Sequence, residues 1–136
     1  MTQEEKNLLL KDLCARLPYG VKINENIQGD FIVIGLTTER VFTNCETEGW
    51  HNDFPIECVK PYLFPLSSMT DKQKVEYNSL RDLVPTEQQC EVENLLGDFE
   101  FVDNWKSIDY LNANHFDYRG LIEYGLAIDA TGLNIY

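Results

Sequence analysis

The sequence predicts an α+β domain: an N-terminal helix, a small antiparallel sheet of about three to four strands, then a helical second half closed by a short C-terminal hairpin. Three observations predict it. Apolar residues at helical spacing open the chain, alternating and β-branched runs fill residues 21–43, and capping boxes return from residue 70 onward.

Thr2 with Glu5 has the form of a capping box, and Leu10, Leu13, Cys14 and Leu17 share one helical face before Pro18 and Gly20 stop it. Val21 and Ile23 then alternate with polar neighbours, and Asn24 to Asp30 reads as a turn containing Gly29. Phe31-Ile32-Val33-Ile34 is apolar on both faces, which predicts a central strand covered on each side. Thr37-Thr38 is placed to close a hairpin into Arg40–Thr43. Cys45 to Asp53 reads as polar loop around Trp50. Pro55, Pro61 and Pro65 assign Phe54 to Leu66 to an edge strand or an irregular crossing.

In the second half, Thr70 with Gln73 opens a helix expected to run to about Leu83, with Tyr77, Leu80 and Val84 on one side. Pro85-Thr86 starts another, with Gln89 completing its capping box and Gly97 ending it. Phe99-Glu100-Phe101 alternates as a short strand. Ser107 opens a helix carrying Ile108, Leu111 and His115, and Asp117 opens a last one through Leu121 and Ile122 to Gly125. Leu126–Ile128 and Leu133–Ile135 are placed to pair around Thr131-Gly132.

At 136 residues and 43% hydrophobic, the chain is long and apolar enough for a core of its own, and residues 1–136 read as a single compact α+β domain. The acidic start, Met1-Thr2-Gln3-Glu4-Glu5, is unlike a signal peptide, and no apolar run approaches a membrane span; the expected compartment is the cytoplasm. Cys14, Cys45, Cys58 and Cys90 form no CxxC pair, so reduced thiols, several of them half-buried, are expected in place of a zinc site or disulfide framework.

The formal net charge of −12 is unevenly spread. Residues 69–136 carry thirteen acids against five bases, whereas residues 1–68 carry ten against six. From Asp82, the acids Glu87, Glu91, Glu93, Asp98, Glu100 and Asp103 follow with no base before Lys106. Such a field repels phosphate, which argues against direct nucleic-acid or anionic-membrane binding and for a basic protein partner. Solubility alone is the plainer account of the same charge. The order of the last elements permits a winged helix, but from Ser107 onward Arg119 is the sole formal cation, too little for phosphate contacts.

The densest chemistry lies in His115, Asp117, Tyr118 and Arg119. A histidine oriented by a carboxylate, a phenol as proton donor and a guanidinium as anion clamp describe a possible ligand site. The simpler account packs His115 on the stripe of Ile108 and Leu111, makes Asp117 an N-cap and pairs Arg119 with Glu123. Cys45, Trp50, His51, Asp53 and Cys58 form a second polar group whose spacings fit no metal motif. No catalytic residue, metal site or cofactor is assigned.

Two stretches, Lys60-Pro61-Tyr62-Leu63-Phe64-Pro65-Leu66-Ser67-Ser68-Met69-Thr70 and Leu111 to Ile122, resemble signatures of a family of short uncharacterised proteins encoded by phages, prophages and mobile elements of gut bacteria. The similarity runs over most of the chain, with Phe64 departing from a commoner Arg. That family has no assigned activity, so no residue inherits a role. The resemblance implies a cytoplasmic accessory protein of a phage or mobile element. Three functions are therefore expected in order: an acidic protein-binding accessory protein, one version of which inhibits a basic nucleic-acid-binding host protein; a small enzyme or ligand-binding protein using His115, Asp117, Tyr118 and Arg119; and a structural or assembly component. Oligomeric state is left open.

Overall fold

The computed structural model describes residues 1–44, 51–85 and 99–136. In chain order the elements are α1 (Gln3–Arg16), β1 (Lys22–Glu25), β2 (Gly29–Leu36), β3 (Arg40–Asn44), β4 (His51–Pro55), β5 (Val59–Pro65), α2 (Asp71–Leu80), β6 (Asp82–Pro85), β7 (Phe99–Val102), α3 (Trp105–Ala113), β8 (Phe116–Asp117) and β9 (Ile128–Asp129). They divide into two compact units, Met1–Ser68 with Asn112–Tyr136, and Met69–Leu111.

In the first unit Thr2 caps α1 as the sequence predicts: its hydroxyl accepts the Glu5 N–H at 3.1 Å, and the Glu5 carboxylate accepts the Thr2 N–H. The expected face of α1 is met in part: Leu13 is fully buried, and Leu10 and Leu17 are half-buried against the core. Leu9 and Leu13 are fully buried together with Asp12 and Arg16, whereas Cys14 is exposed. Pro18 and Gly20, the latter at φ +70°, end the helix through a short 3-10 turn.

Seven strands, not three or four, form the sheet, in the order β4-β3-β2-β1-β5-β8 with β9 also on β5. The pairs from β4 through to β5 are antiparallel, while β8 and β9 both run parallel to β5. The proline-rich segment assigned to an edge is thus interior. Pro61 stands opposite Ile23 of β1, and pairing at Tyr62 to Pro65 uses neighbouring residues on the strand's remaining length. Prolines 61 and 65 remove ladder donors without preventing β5 from carrying partners along its whole course.

Leu9 and Leu13 of α1 pack with Ile23, Val33, Val41 and Leu63 of the sheet into the core. β2 is central, as expected, but not covered on both faces: a register shift between Val33 and Gly35 accompanies an Ile34 that is 47% exposed.

The expected last helix and terminal hairpin do not form. Gly120 and Gly125 adopt φ +76° and +72°, so the chain after β8 runs irregularly to residue 120 and through turns over residues 121–125, and no helix can run through them. Ile128 and Asp129 then pair with Tyr62 and Leu63, and Leu133–Ile135 lie outside any strand. The winged-helix order disappears with them.

In the second unit, Thr70 and Gln73 make the predicted capping box for α2. The helix stops at Leu80, short of Leu83, because residues 82–85 pair with residues 99–102 as a two-stranded antiparallel sheet. Pro85 accordingly ends a strand where a helix start was expected; the rest of that expected helix, residues 86–96, lies outside the described residues. α3 begins two residues before Ser107 because Asn104 caps it, its side chain accepting the Ser107 N–H at 3.0 Å. It ends at Ala113, so His115 falls beyond it at φ +61°. Among the described residues no helix is long and apolar enough to cross a membrane.

Candidate functional site

Asp12 and Arg16 lie one helical turn apart on the buried face of α1, which sets a carboxylate and a guanidinium side by side within the first unit. The Arg16 Nε donates to Asp12 Oδ2 at 2.8 Å, and its Nη2 donates to the Phe116 carbonyl of β8. The other Asp12 oxygen accepts from Arg119 Nη1 at 2.9 Å. One buried carboxylate therefore bridges two guanidiniums, fully buried Arg16 and partly exposed Arg119. Tyr118 lies beneath both, its ring centroid 5.4 Å from the Arg16 Cζ and 4.5 Å from that of Arg119. Its hydroxyl donates to Asn112 Oδ1 at 3.0 Å.

The four residues picked from the sequence are brought near this network, where Asp117, Tyr118 and Arg119 are committed to hydrogen bonds, while His115 Nδ1 is buried without a hydrogen-bond partner among the described residues. Arg119 pairs with Asp12, 107 residues away, and not with Glu123. Asp117 spends both oxygens on backbone, accepting the Leu121 and Ile122 N–H groups at 2.9 Å each. It is a cap, as one reading expected, for a turn and not a helix. His115 leaves the stripe of Ile108 and Leu111 and stacks on Tyr136, whose hydroxyl donates to the Tyr62 carbonyl and accepts the Lys22 N–H. Burial, reinforced by the Arg16 and Lys22 charges, pushes the His115 imidazole down to about 4. Burial likewise raises the Tyr136 phenol to about 12.

A cleft of about 370 Å³ passes Asp117 and Tyr118, between Pro65–Ser67 and Gly120–Glu123. Because both Asp117 oxygens are held by backbone N–H groups, that carboxylate is poorly placed to act as a base there. Asp12 and Arg16 escaped the sequence reading. The signal was present: two charges at i, i+4 spacing on the leucine-bearing side of a helix, where an unpaired charge is not tolerated.

Of the second polar group, Cys45 and Trp50 lie outside the described residues, His51 falls in β4, and Asp53 pairs with Arg40 on the surface. Cys58, like Cys14, is a free and exposed thiol, so neither is half-buried as expected. Among the described residues no three His, Cys, Asp or Glu side chains gather as metal ligands.

The acidic positions belong to the second unit, where residues 69–111 carry ten acids and four bases. Glu87, Glu91, Glu93 and Asp98 lie outside the described residues. Asp103 is tied internally: it accepts from the Tyr77 hydroxyl and from Ser107 Oγ and sits 3.2 Å from Arg81 Nε. Burial, then that carboxylate, lifts the Tyr77 phenol to about 12. Arg81 is held by Asp103, the Phe101 carbonyl and the rings of Tyr77 and Phe101. Asp82 and Glu100 are exposed and have no ion-pair partner among the described residues. Between them Leu83 and Phe101 stand opposite one another, 57% and 44% exposed.

No family model, curated protein or solved structure matches the chain.

Proposed function

We propose that the chain is a non-enzymatic binding protein whose acidic second unit engages a basic protein partner. One observation carries the reading: the β6–β7 hairpin holds Leu83 and Phe101 in solvent on one face and, on the other, the carboxylates of Asp82 and Glu100, which have no ion-pair partner among the described residues. Exposed apolar side chains mark an interaction surface, and the carboxylates on the hairpin's other face select the partner's sign. The commitment of Asp117, Tyr118 and Arg119 to internal hydrogen bonds supports binding over catalysis. In the phage or mobile-element setting implied by the sequence resemblance, the partner is a host nucleic-acid-binding protein that this chain inhibits.

Affinity capture with the intact chain at low and high salt tests it. A basic protein should be retained at low salt, released at high salt, and lost with D82K/E100K. Retention insensitive to both salt and charge reversal, or no partner at all, overturns the reading.

A further inference from the structure

We propose that the β6–β7 hairpin is completed by a third strand from the partner, an extended segment in which Lys or Arg alternates with apolar residues. The inference rests on the basic-partner reading and adds to it the shape and pattern of what is bound.

Among the described residues β6 and β7 pair only with each other. None of Asp82, Leu83, Val84, Glu100, Phe101 and Val102 is buried. A two-stranded sheet without a covered face is marginal by itself, and the outer edges of a hairpin present backbone donors and acceptors to any further strand.

The register defines what such a strand must carry. Leu83 stands opposite Phe101, which makes that face apolar. Asp82 stands opposite Val102 and Val84 opposite Glu100, so the other face bears both carboxylates. Successive residues of an added strand fall alternately on these faces. Its apolar residues continue the Leu83/Phe101 face, and its cations fall on the carboxylate face, beside Asp82 if it joins β6 or beside Glu100 if it joins β7. Arg81 does not compete for those acids, being held by Asp103, the Phe101 carbonyl and two aromatic rings. Backbone pairing supplies affinity in this mode, and alternate side chains supply selectivity.

The test titrates the full chain with four synthetic peptides, by calorimetry and by backbone amide shifts. The first alternates Lys and Val, the second has the same composition in two blocks, the third replaces Lys with Glu, and the fourth is the first with alternate amides N-methylated. The alternating Lys/Val peptide should bind and shift amides of residues 82–85 and 99–102. Block patterning and N-methylation, placed in either phase, should each weaken binding by at least about tenfold, and the Glu peptide should not bind. D82K/E100K, both on exposed positions, should abolish binding with the remaining spectrum unchanged, whereas L83S tests the apolar face at greater risk to the fold. If block and N-methylated peptides bind as well as the first, strand addition is wrong while a basic partner stands. If neither Lys peptide binds, or shifts fall elsewhere, both the strand and the basic-partner reading fail at this hairpin.

Discussion

The imidazole of His115 lies flat against the phenol ring of Tyr136, their centroids 3.7 Å apart and their planes 10° from parallel. The pair is buried on the His115 side, and the histidine resists protonation down to about pH 4. An unfolded histidine takes its proton near pH 6.5. Between these values the unfolded chain binds more protons than the folded one. Stability is therefore fully present above about pH 6.5 and falls as pH drops toward 4. The loss by about pH 5 should be on the order of 2 kcal/mol. His115→Asn keeps a side chain tolerant of the local φ of +61° and removes the titration. Urea midpoints at pH 7 and 5 should differ less for the variant than for the wild-type chain; equal pH dependence in both proteins sinks the assignment.

Asp12 separates two guanidiniums with different needs. Asp12→Ala leaves Arg16 buried without its carboxylate and should cost about 3–5 kcal/mol. Arg119→Ala removes a partly exposed partner and should cost about 1 kcal/mol or less. Denaturant unfolding of the two variants checks the contrast, and comparable losses would show that Arg16 does not depend on Asp12.

Asp117→Ala should destabilise the turn after β8 by about 1–3 kcal/mol, since two backbone N–H groups lose their acceptor. Amide exchange at Leu121 and Ile122 is the direct reading. Unchanged protection there would mean that the carboxylate is not a cap.

Cys14 and Cys58 are exposed, so both should react with a thiol reagent in the folded protein without a preceding unfolding step. Peptide mapping after a brief labelling pulse identifies the sites. Labelling of either only in denaturant contradicts its placement.

Local chemistry was readable in advance, and long-range pairing was not. The Thr2/Glu5 and Thr70/Gln73 boxes and the Thr37-Thr38 turn involve neighbours in the chain, so residue types alone specify them. β8 and β9 are two residues each, too short for any periodicity, and exist because β5 offers them an edge. The three prolines argued against that edge being used. The apparent helix after Asp117 had a cap and apolar spacing, yet Gly120 and Gly125 took positive φ and turned it. At the candidate sites, the acids of the second unit were visible as composition, whereas the Asp12–Arg119 pairing required a fold that joins residues 107 apart. The exposure of Leu83 and Phe101 was hidden for a related reason: both resemble core residues until β6 and β7 are seen to pair, among the described residues, only with each other.

The parallel pairing of β8 and β9 with β5 has a consequence in time. During synthesis β1 to β5 emerge well before residues 116–129, with the whole second unit translated between them. At roughly 5–20 residues per second, β5 waits several seconds for its remaining neighbours. Throughout that interval the nascent first unit exposes an unpaired strand flank and cannot close its core around Leu121 and Leu126. Its folding therefore waits on residues 116–129 and is governed by non-local closure, and slowing the ribosome within residues 69–111 should lengthen the period in which aggregation or chaperone capture competes.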